Sequence, residues 1–310
     1  MSRFSPELKE VKCTYGKDTW ERLMNDHAQN ITSELLFSLW ARAAETKRNN
    51  PVVRDEYAVE LIRWLGLEHA PFPGTPTEQL DIAIRTRIID TITRAFIANN
   101  PTAIIIACRV GLDTRFQRVD NGLICWYNVD QPRIVQLRQK LFPTMKRVHY
   151  VPIPVTAPEW CRAIRTDNRP VLIILEQTSM YLERKELISL LDNIASAFPG
   201  STLIMDAITT QEMRRRRKQN RNRPDAAELK WAARNVDSIV ALNSEYVMVN
   251  EWIVNRWHRD RLSFWQRIRT SLPWRKNQGS LIVLMRYPEN VNLPEEETEE
   301  DETASAGPDE

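Results

Sequence analysis

Apolar residues recur at helical spacing through the first third of the chain and then change period. SELLFSLWARAAE (33–45) and DEYAVELIRWLG (55–66) place them at i, i+3, i+4 intervals, with Gly66 available as a stop. After the turn-rich HAPFPGTP, the segment TEQLDIAIRTRIIDTITRAFIANN (77–100) continues the helical pattern up to Pro101. Short, near-continuous apolar runs follow: TAIIIAC (102–108), GLICWYNV (122–129), RVHYVPIPV (147–155), PVLIILE (170–176) and STLIMDAI (201–208). Helix-like segments separate them, PRIVQLRQKLF after the second, PEWCRAIRT after the third and ERKELISLLDNIASAF after the fourth. Strands that are apolar throughout, alternating with helices, are the mark of a parallel sheet covered on both faces. The pattern therefore predicts a doubly wound α/β domain from about residue 100 onward, behind a helical amino-terminal cap.

Composition narrows the class. With 42% hydrophobic and 27% charged residues and only 8 glycines in 310, the chain has material for a substantial core, which excludes collagenous and wholly disordered proteins. No run approaches the roughly 18 apolar residues of a membrane span, and MSRFSPELKEVKC carries charge where a signal peptide needs an apolar stretch. A cytoplasmic protein without membrane spans is expected. Cys13, Cys108, Cys125 and Cys161 are far apart, with no zinc-type spacing, and read as reduced thiols.

The net charge of +2 conceals an asymmetry. Pro294 to Glu310 holds nine acidic residues and no basic one, so the rest carries 43 basic against 32 acidic, a net +11. The tail lacks the apolar residues that would offset its ordering entropy, and disorder is predicted over 291–310. The opposite extreme is RRRRKQNRNR, Arg214 to Arg223, with seven cations in ten residues. It reads as a solvated helix or loop, as a lid drawing an anionic acceptor, or as a contact for phosphates or an acidic partner.

Ligands of doubly wound sheets bind beyond the carboxyl ends of the strands, so the residues there are the candidates. The first run is followed by Arg109, Val110 and Gly111, the second by Asp130, and the fourth ends in Glu176. An acidic residue about twenty positions after a first-strand glycine can grip a ribose diol. Gly111 alone equally suits a plain turn, and Asp130 equally suits a cap for PRIVQLRQ.

Taken together, ARAAETKR (41–48), IRTRIID (84–90), GLDTRFQRVDNG (111–122), WYNVDQP (126–132), LEQTSMYLE (175–183) and FPGSTLIMD (198–206) resemble the leucine carboxyl methyltransferase-like O-methyltransferases, a family that includes bacterial polyketide-type enzymes. The resemblance implies a class I methyltransferase fold: a Rossmann-like, mostly parallel sheet ending in an antiparallel pair. SEYVMVNE (244–251) and SLIVLMRY (280–287) suit that pair, and NRWHRDRLSFWQRIRTSL between them suits a helix packing Trp257, Phe264 and Trp265 on the sheet. The implied division is a cap over 1–100, a methyltransferase domain over 101–290 and the tail.

The resemblance also implies S-adenosylmethionine as cosubstrate and a small-molecule acceptor; no membrane partner is expected, and the arginine run, without interleaved aromatic residues, counts against nucleic acid. Arg87 matches the arginine pairing with the methionyl carboxylate, with Arg85 as its understudy. Gly111 matches the turn under the methionine portion and ribose, Asp130 the acceptor of both ribose hydroxyls, and Glu176 the carboxylate at the ammonium end or the substrate pocket. Arg42 and Tyr181 are weaker candidates for the pocket wall. A carboxylate acceptor needs no base and an alcohol benefits from one; His149 and Glu176 are the nearest guesses, and neither is unambiguous.

Three positions depart from the family. Arg109 and Gln177 stand where glycine is usual and Asn128 where aspartate is common. Arg109 is expected to point into the space of the methionyl part and to resist the backbone angles glycine accepts. Three classes therefore stand: an O-methyltransferase, a noncatalytic methyltransferase-like scaffold, and a binder of an acidic partner through the arginine run.

Overall fold

The computed structural model describes residues 33–69, 72, 74–221, 227–258, 261 and 279–287. The acidic tail, Cys13, the last two residues of the basic run and most of the 255–272 segment, with Phe264 and Trp265, lie outside the described residues. Trp257, expected to pack on the sheet, follows a 3-10 turn at Val254–Arg256 and is 45% exposed.

Helices α1 (Ser33–Thr46), α2 (Glu56–Trp64) and α3 (Pro76–Asn99) lie where the apolar spacing predicts them. Their starts are written locally. Asp55 accepts the Ala58 N–H at the head of α2, and α3 opens with Pro76 behind a reciprocal Thr75–Glu78 capping box. Further on come α4 (Arg115–Val119), α5 (Pro132–Leu141), α6 (Glu159–Arg162), α7 (Arg184–Ala197), α8 (Thr210–Asn220) and α9 (Asp237–Val240).

The strands are β1 (Ile104–Cys108), β2 (Cys125–Val129), β3 (Val148–Val151), β4 (Val171–Leu175), β5 (Thr202–Ile208), β6 (Val247–Ile253) and β7 (Ser280–Arg286). They form one sheet in the order β3-β2-β1-β4-β5-β7-β6. The pairings from β3 to β5 are parallel, while β7 runs antiparallel between β5 and β6. This is the class I methyltransferase arrangement, with the antiparallel pair at the edge.

Alternation of side chains sorts the core into two faces. Ile105, Ala107, Leu172 and Ile174 point to one, against Ile88, Ile89 and Ile92 of α3. Ile104, Ile106, Ile173 and Leu175 point to the other, against Leu187, Leu191 and Ile194 of α7. Fully burying each such side chain contributes about 1.5–3 kcal/mol. A third cluster joins Leu39 and Ala43 of α1 and Leu61 and Ile62 of α2 to Leu137, Leu141 and Phe142 at the end of α5.

Two elements are shorter than the pattern predicts. β3 stops at Val151 because Pro152 and Pro154 offer no amide to a ladder. α6 is a single turn, after which Asp167 and Asn168 take left-handed angles, φ 48° and 58°, ahead of Pro170.

β1, β2 and β3 step outward in one direction, and the next strand, β4, lies on the opposite side of β1. The connections leaving β1 and β4 therefore diverge and open a crevice at the carboxyl ends of these two strands.

Candidate functional site

The crevice begins at the turn after β1. Arg109 has φ 50° and Gly111 φ 47°, both in the region that disfavours side chains. A Cβ on Gly111 would come within 2.7 Å of Leu35 Cδ2, so α1 closes over this turn. The Gly111 N–H donates to Asp130 Oδ2 at 2.9 Å, and the Gln131 N–H donates to Asp130 Oδ1 at 2.8 Å. Asp130 thereby ties the ends of β1 and β2 together. It is 6% exposed, and burial raises its pKa despite the two amides. From behind, Arg138 Nη1 donates to the carbonyls of Gly111 and Asp113, 2.9 Å each.

At the end of β4, Glu176 meets two arginines. Arg85 Nε donates to its Oε1 at 2.8 Å and Arg115 Nη2 to its Oε2 at 2.6 Å. Both arginines are 2% exposed. Burial alone would lift the Glu176 pKa, but Arg115 and Arg85 hold it below the usual carboxylate range. The network continues inward. Arg115 reaches Asp90 at 2.7 Å and Asp113 at 2.9 Å, Arg118 reaches Asp90 and Asp55 at 2.7 Å each, and Arg42 reaches Asp55 at 2.8 Å. Asp55 and Asp113 are held low against burial, chiefly by Arg118 and Arg115 respectively. These charges come from α1, α3, α4 and the loops before α2 and after β1, and they lock the helical layer to the strand ends.

Gln177 follows at φ 49° and donates its N–H to Asp206 Oδ1 at 2.6 Å. Asp206 Oδ2 is buried without a hydrogen-bond partner among the described residues, 3.8 Å from Arg85 Nε. Burial pushes the Asp206 pKa up to about 6, with Arg85 opposing and Glu176 reinforcing the rise.

Two cavities meet here. One, of about 120 Å³, lies between the Gly111 turn, Glu176 and α1, with Arg109 and Arg115 in its wall. The other, of about 110 Å³, lies between α3 and α8, lined by Phe37, Asp81, Arg85, Arg215 and Arg216. Ser38, Gln177 and Tyr181 line both.

The structure brings Arg109, Gly111 and Glu176 into the first cavity and sets Asp130 directly behind Gly111. Arg87 is exposed and lines neither cavity. Successive α-helical residues turn by about 100°, which points Arg87 about 200° away from Arg85. Of the two arginines of RTR, the buried one is Arg85. Arg109 lines the cavity as expected and accepts the left-handed angle rather than refusing it, its guanidinium 4.5 Å from the ring centroid of Tyr181. Arg42 lines the cavity and Tyr181 its junction. Asn128 is buried, accepting from Trp126 Nε1 at 3.1 Å. His149 is exposed on β3, stacked on Tyr127 at 4.8 Å and away from both cavities.

The basic run forms the body of α8 up to Asn220. Arg215 and Arg216 turn back onto Glu212 at 2.6 and 2.7 Å and face the second cavity, while Arg214, Arg217 and Lys218 are exposed. No helix among the described residues is long and apolar enough to cross a membrane.

The leucine carboxyl methyltransferase family model matches residues 36–195, from α1 through most of α7. The chain belongs to this family. The matched stretch contains the Gly111 turn, Asp130, Glu176 and the ion-pair network around them. Among relatives, the tetracenomycin polyketide synthesis O-methyltransferase of Streptomyces glaucescens is 26% identical over 210 residues, covering 67% of this chain and 77% of that protein. An S-adenosyl-L-methionine-dependent methyltransferase of Gibberella zeae is 31% identical over 188 residues, 54% of this chain and 61% of its own length. Solved structures similar in fold include a protein of Streptomyces avermitilis, TM-score 0.52 at 14% identity, covering 80% of this chain and 97% of its own. A Thermobifida fusca protein gives a TM-score of 0.53 at 17% identity over 80% and 94%.

Proposed function

We propose that this methyltransferase-family protein transfers a methyl group from S-adenosylmethionine to an oxygen, hydroxyl or carboxylate, of a small-molecule acceptor. The observation that carries the reading is the pair of confluent cavities at the switch point of the sheet, one walled by the Gly111 turn and Glu176, the other by α3 and α8. Such a division suits a cosubstrate on one side and an acceptor on the other.

The residues present fit the cosubstrate's polar ends. Glu176 is held in its charged form by Arg115 and Arg85, and its side chain, 17% exposed, lines the first cavity, which suits an ammonium group; Arg85 beside it, on the wall of the second cavity, suits a carboxylate. Asp130 lines neither cavity; each of its oxygens accepts one backbone N–H, and a ribose hydroxyl would have to reach its remaining lone pairs past the Gly111 turn. When bound, the sulfonium supplies an already activated methyl group. The protein's part is then to align the acceptor oxygen and exclude water, which Leu35 and Leu39 of α1 serve by closing the Gly111 turn. The S. glaucescens relative, named for polyketide O-methylation, supports a polyketide-like acceptor.

Arg109 and Gln177 favour the second reading, a scaffold that no longer turns over, because both put side chains where the family has glycine. Incubation with methyl-labelled S-adenosylmethionine and a mixed panel of aromatic alcohols and acids tests the two. The enzyme reading expects labelled ether or ester, and a protein that labels nothing in the panel contradicts it.

A further inference from the structure

The second cavity contains a carboxylate that cosubstrate binding leaves unused. Four carboxylates line the two cavities: Glu78, Asp81, Asp113 and Glu176. Glu78 is engaged in the cap of α3, accepting from the Thr75 N–H and hydroxyl at 2.8 Å each. Asp113 and Glu176 are held by Arg115. Asp81 makes no hydrogen bond or ion pair with a described residue. It stands on α3 one turn ahead of Arg85, on the line of the helix that faces the site, and it shares the cavity with Phe37 and Tyr181.

We propose that Asp81 is the general base for a hydroxyl acceptor, a phenol or enol, bound in this cavity. The proposal rests on the methyltransferase reading and commits it to ether formation. Phe37 and Tyr181 offer rings to an aromatic acceptor. A carboxylate acceptor needs no base and would set its own charge against Asp81, whereas a phenolic O–H has a proton to donate to it. In the transfer, the acceptor oxygen gains the methyl carbon, the electrons of the broken carbon–sulfur bond return to sulfur as a neutral thioether, and the hydroxyl proton passes to Asp81 and then to water.

The surroundings tune Asp81 for this work. Burial lifts its pKa to about 6, and Glu212 across the cavity adds to the rise. Arg215 and Arg216 on α8 and Arg85 on its own helix oppose it. The first two are themselves bonded to Glu212, which blunts their pull. Glu78, one turn earlier on α3, is the remaining acidic group at the cavity. A base of this strength is ionised at neutral pH and close enough to it to take a proton.

The test uses the full chain, its Asp81→Asn and Asp81→Glu variants, and two sets of probes: naphthols with hydroxyanthraquinones, and naphthoic acids. Calorimetric titration with S-adenosylhomocysteine accompanies the assays. Expected are labelled methyl ethers, a rate on the phenols that rises with pH through about 6, and a fall of about 100-fold or more in Asp81→Asn. Affinity for S-adenosylhomocysteine should stay within about twofold of wild type, and Asp81→Glu should recover part of the rate and its pH limb. Transfer to the acids only, transfer to no phenol by a protein that binds S-adenosylhomocysteine, or an Asp81→Asn variant as active as wild type would each overturn the assignment. Wild-type protein that fails to bind S-adenosylhomocysteine would overturn both this and the reading beneath it.

Discussion

Arg109 lays its guanidinium over the ring of Tyr181, 4.5 Å from the centroid, and so joins the turn after β1 to the turn after β4. The contact lies in the wall of the first cavity at its junction with the second. Its backbone is in the left-handed region, which costs a non-glycine residue roughly 1–2 kcal/mol. A cation–π contact at a partly exposed site returns about 0.5–1 kcal/mol.

Replacing Arg109 by glycine should therefore leave stability within about 1 kcal/mol of wild type while clearing the cavity wall. Affinity for S-adenosylmethionine is expected to rise about tenfold, equivalent to about 1.4 kcal/mol, and the gain should be independent of salt. Titration at two ionic strengths checks it. A salt-sensitive loss of affinity would instead mean that the guanidinium grips the cosubstrate carboxylate.

Stability should peak near pH 5, well below the isoelectric point of about 8.3. Asp55, Asp113 and Glu176 have depressed pKa values, so their contribution is complete above the ordinary carboxyl value of about 4 and is lost as pH falls below it. Asp81 and Asp206 have theirs raised to about 6, so the folded state binds their protons more tightly than the unfolded chain. That contribution is complete below about pH 4 and is lost as pH rises toward about 6. Asp206→Asn keeps an acceptor for the Gln177 N–H and removes the buried charge. It should stabilise the protein by about 1–3 kcal/mol at alkaline pH and by little in acid, as read by urea denaturation at two pH values.

Arg115 is the hub of the network, bonded to Asp90, Asp113 and Glu176 at 2.7, 2.9 and 2.6 Å. Arg115→Met would leave those buried carboxylates one cation short, with Arg118 and Arg85 still beside them, and should cost about 3–5 kcal/mol, read as a lowered denaturation midpoint. Arg87→Met, on the exposed face, should change stability by less than about 0.5 kcal/mol.

The sheet was legible because its central parallel strands are apolar on both faces, as the unbroken runs IIIAC and VLIIL show. The spacing of Asp130 from Gly111 marked both as strand-end residues, but it gave no sign that Asp130 accepts the Gly111 N–H. The choice between Arg85 and Arg87 was not. α3 is buried around most of its circumference, so its apolar pattern gives no direction to RTR; only the line from Asp81 through Arg85 to Ile89 and Ile92 marks the inward face. The ion-pair network was hidden for another reason. Asp55, Asp90, Asp113 and Glu176 are spread over more than a hundred residues of chain, and charges in sequence carry no sign of whom they will meet. Asp81 was invisible in the same way, since an acidic residue in the second turn of a helix ordinarily reads as surface.

The central claim is that S-adenosylmethionine lies in the cavity between the Gly111 turn and Glu176, with its carboxylate reaching Arg85 beside Glu176 at the junction with the second cavity, whose wall Arg85 lines. Calorimetric titration of S-adenosylhomocysteine into wild type, Arg85→Ala and Arg87→Ala tests it most directly. The expected result is one-site binding by wild type and Arg87→Ala, and a loss of about 1.5–3 kcal/mol, the range for a hydrogen bond to a charged group, in a folded Arg85→Ala. Wild-type protein that takes up no ligand at millimolar concentration, or an Arg85→Ala variant that binds as wild type does, would contradict it.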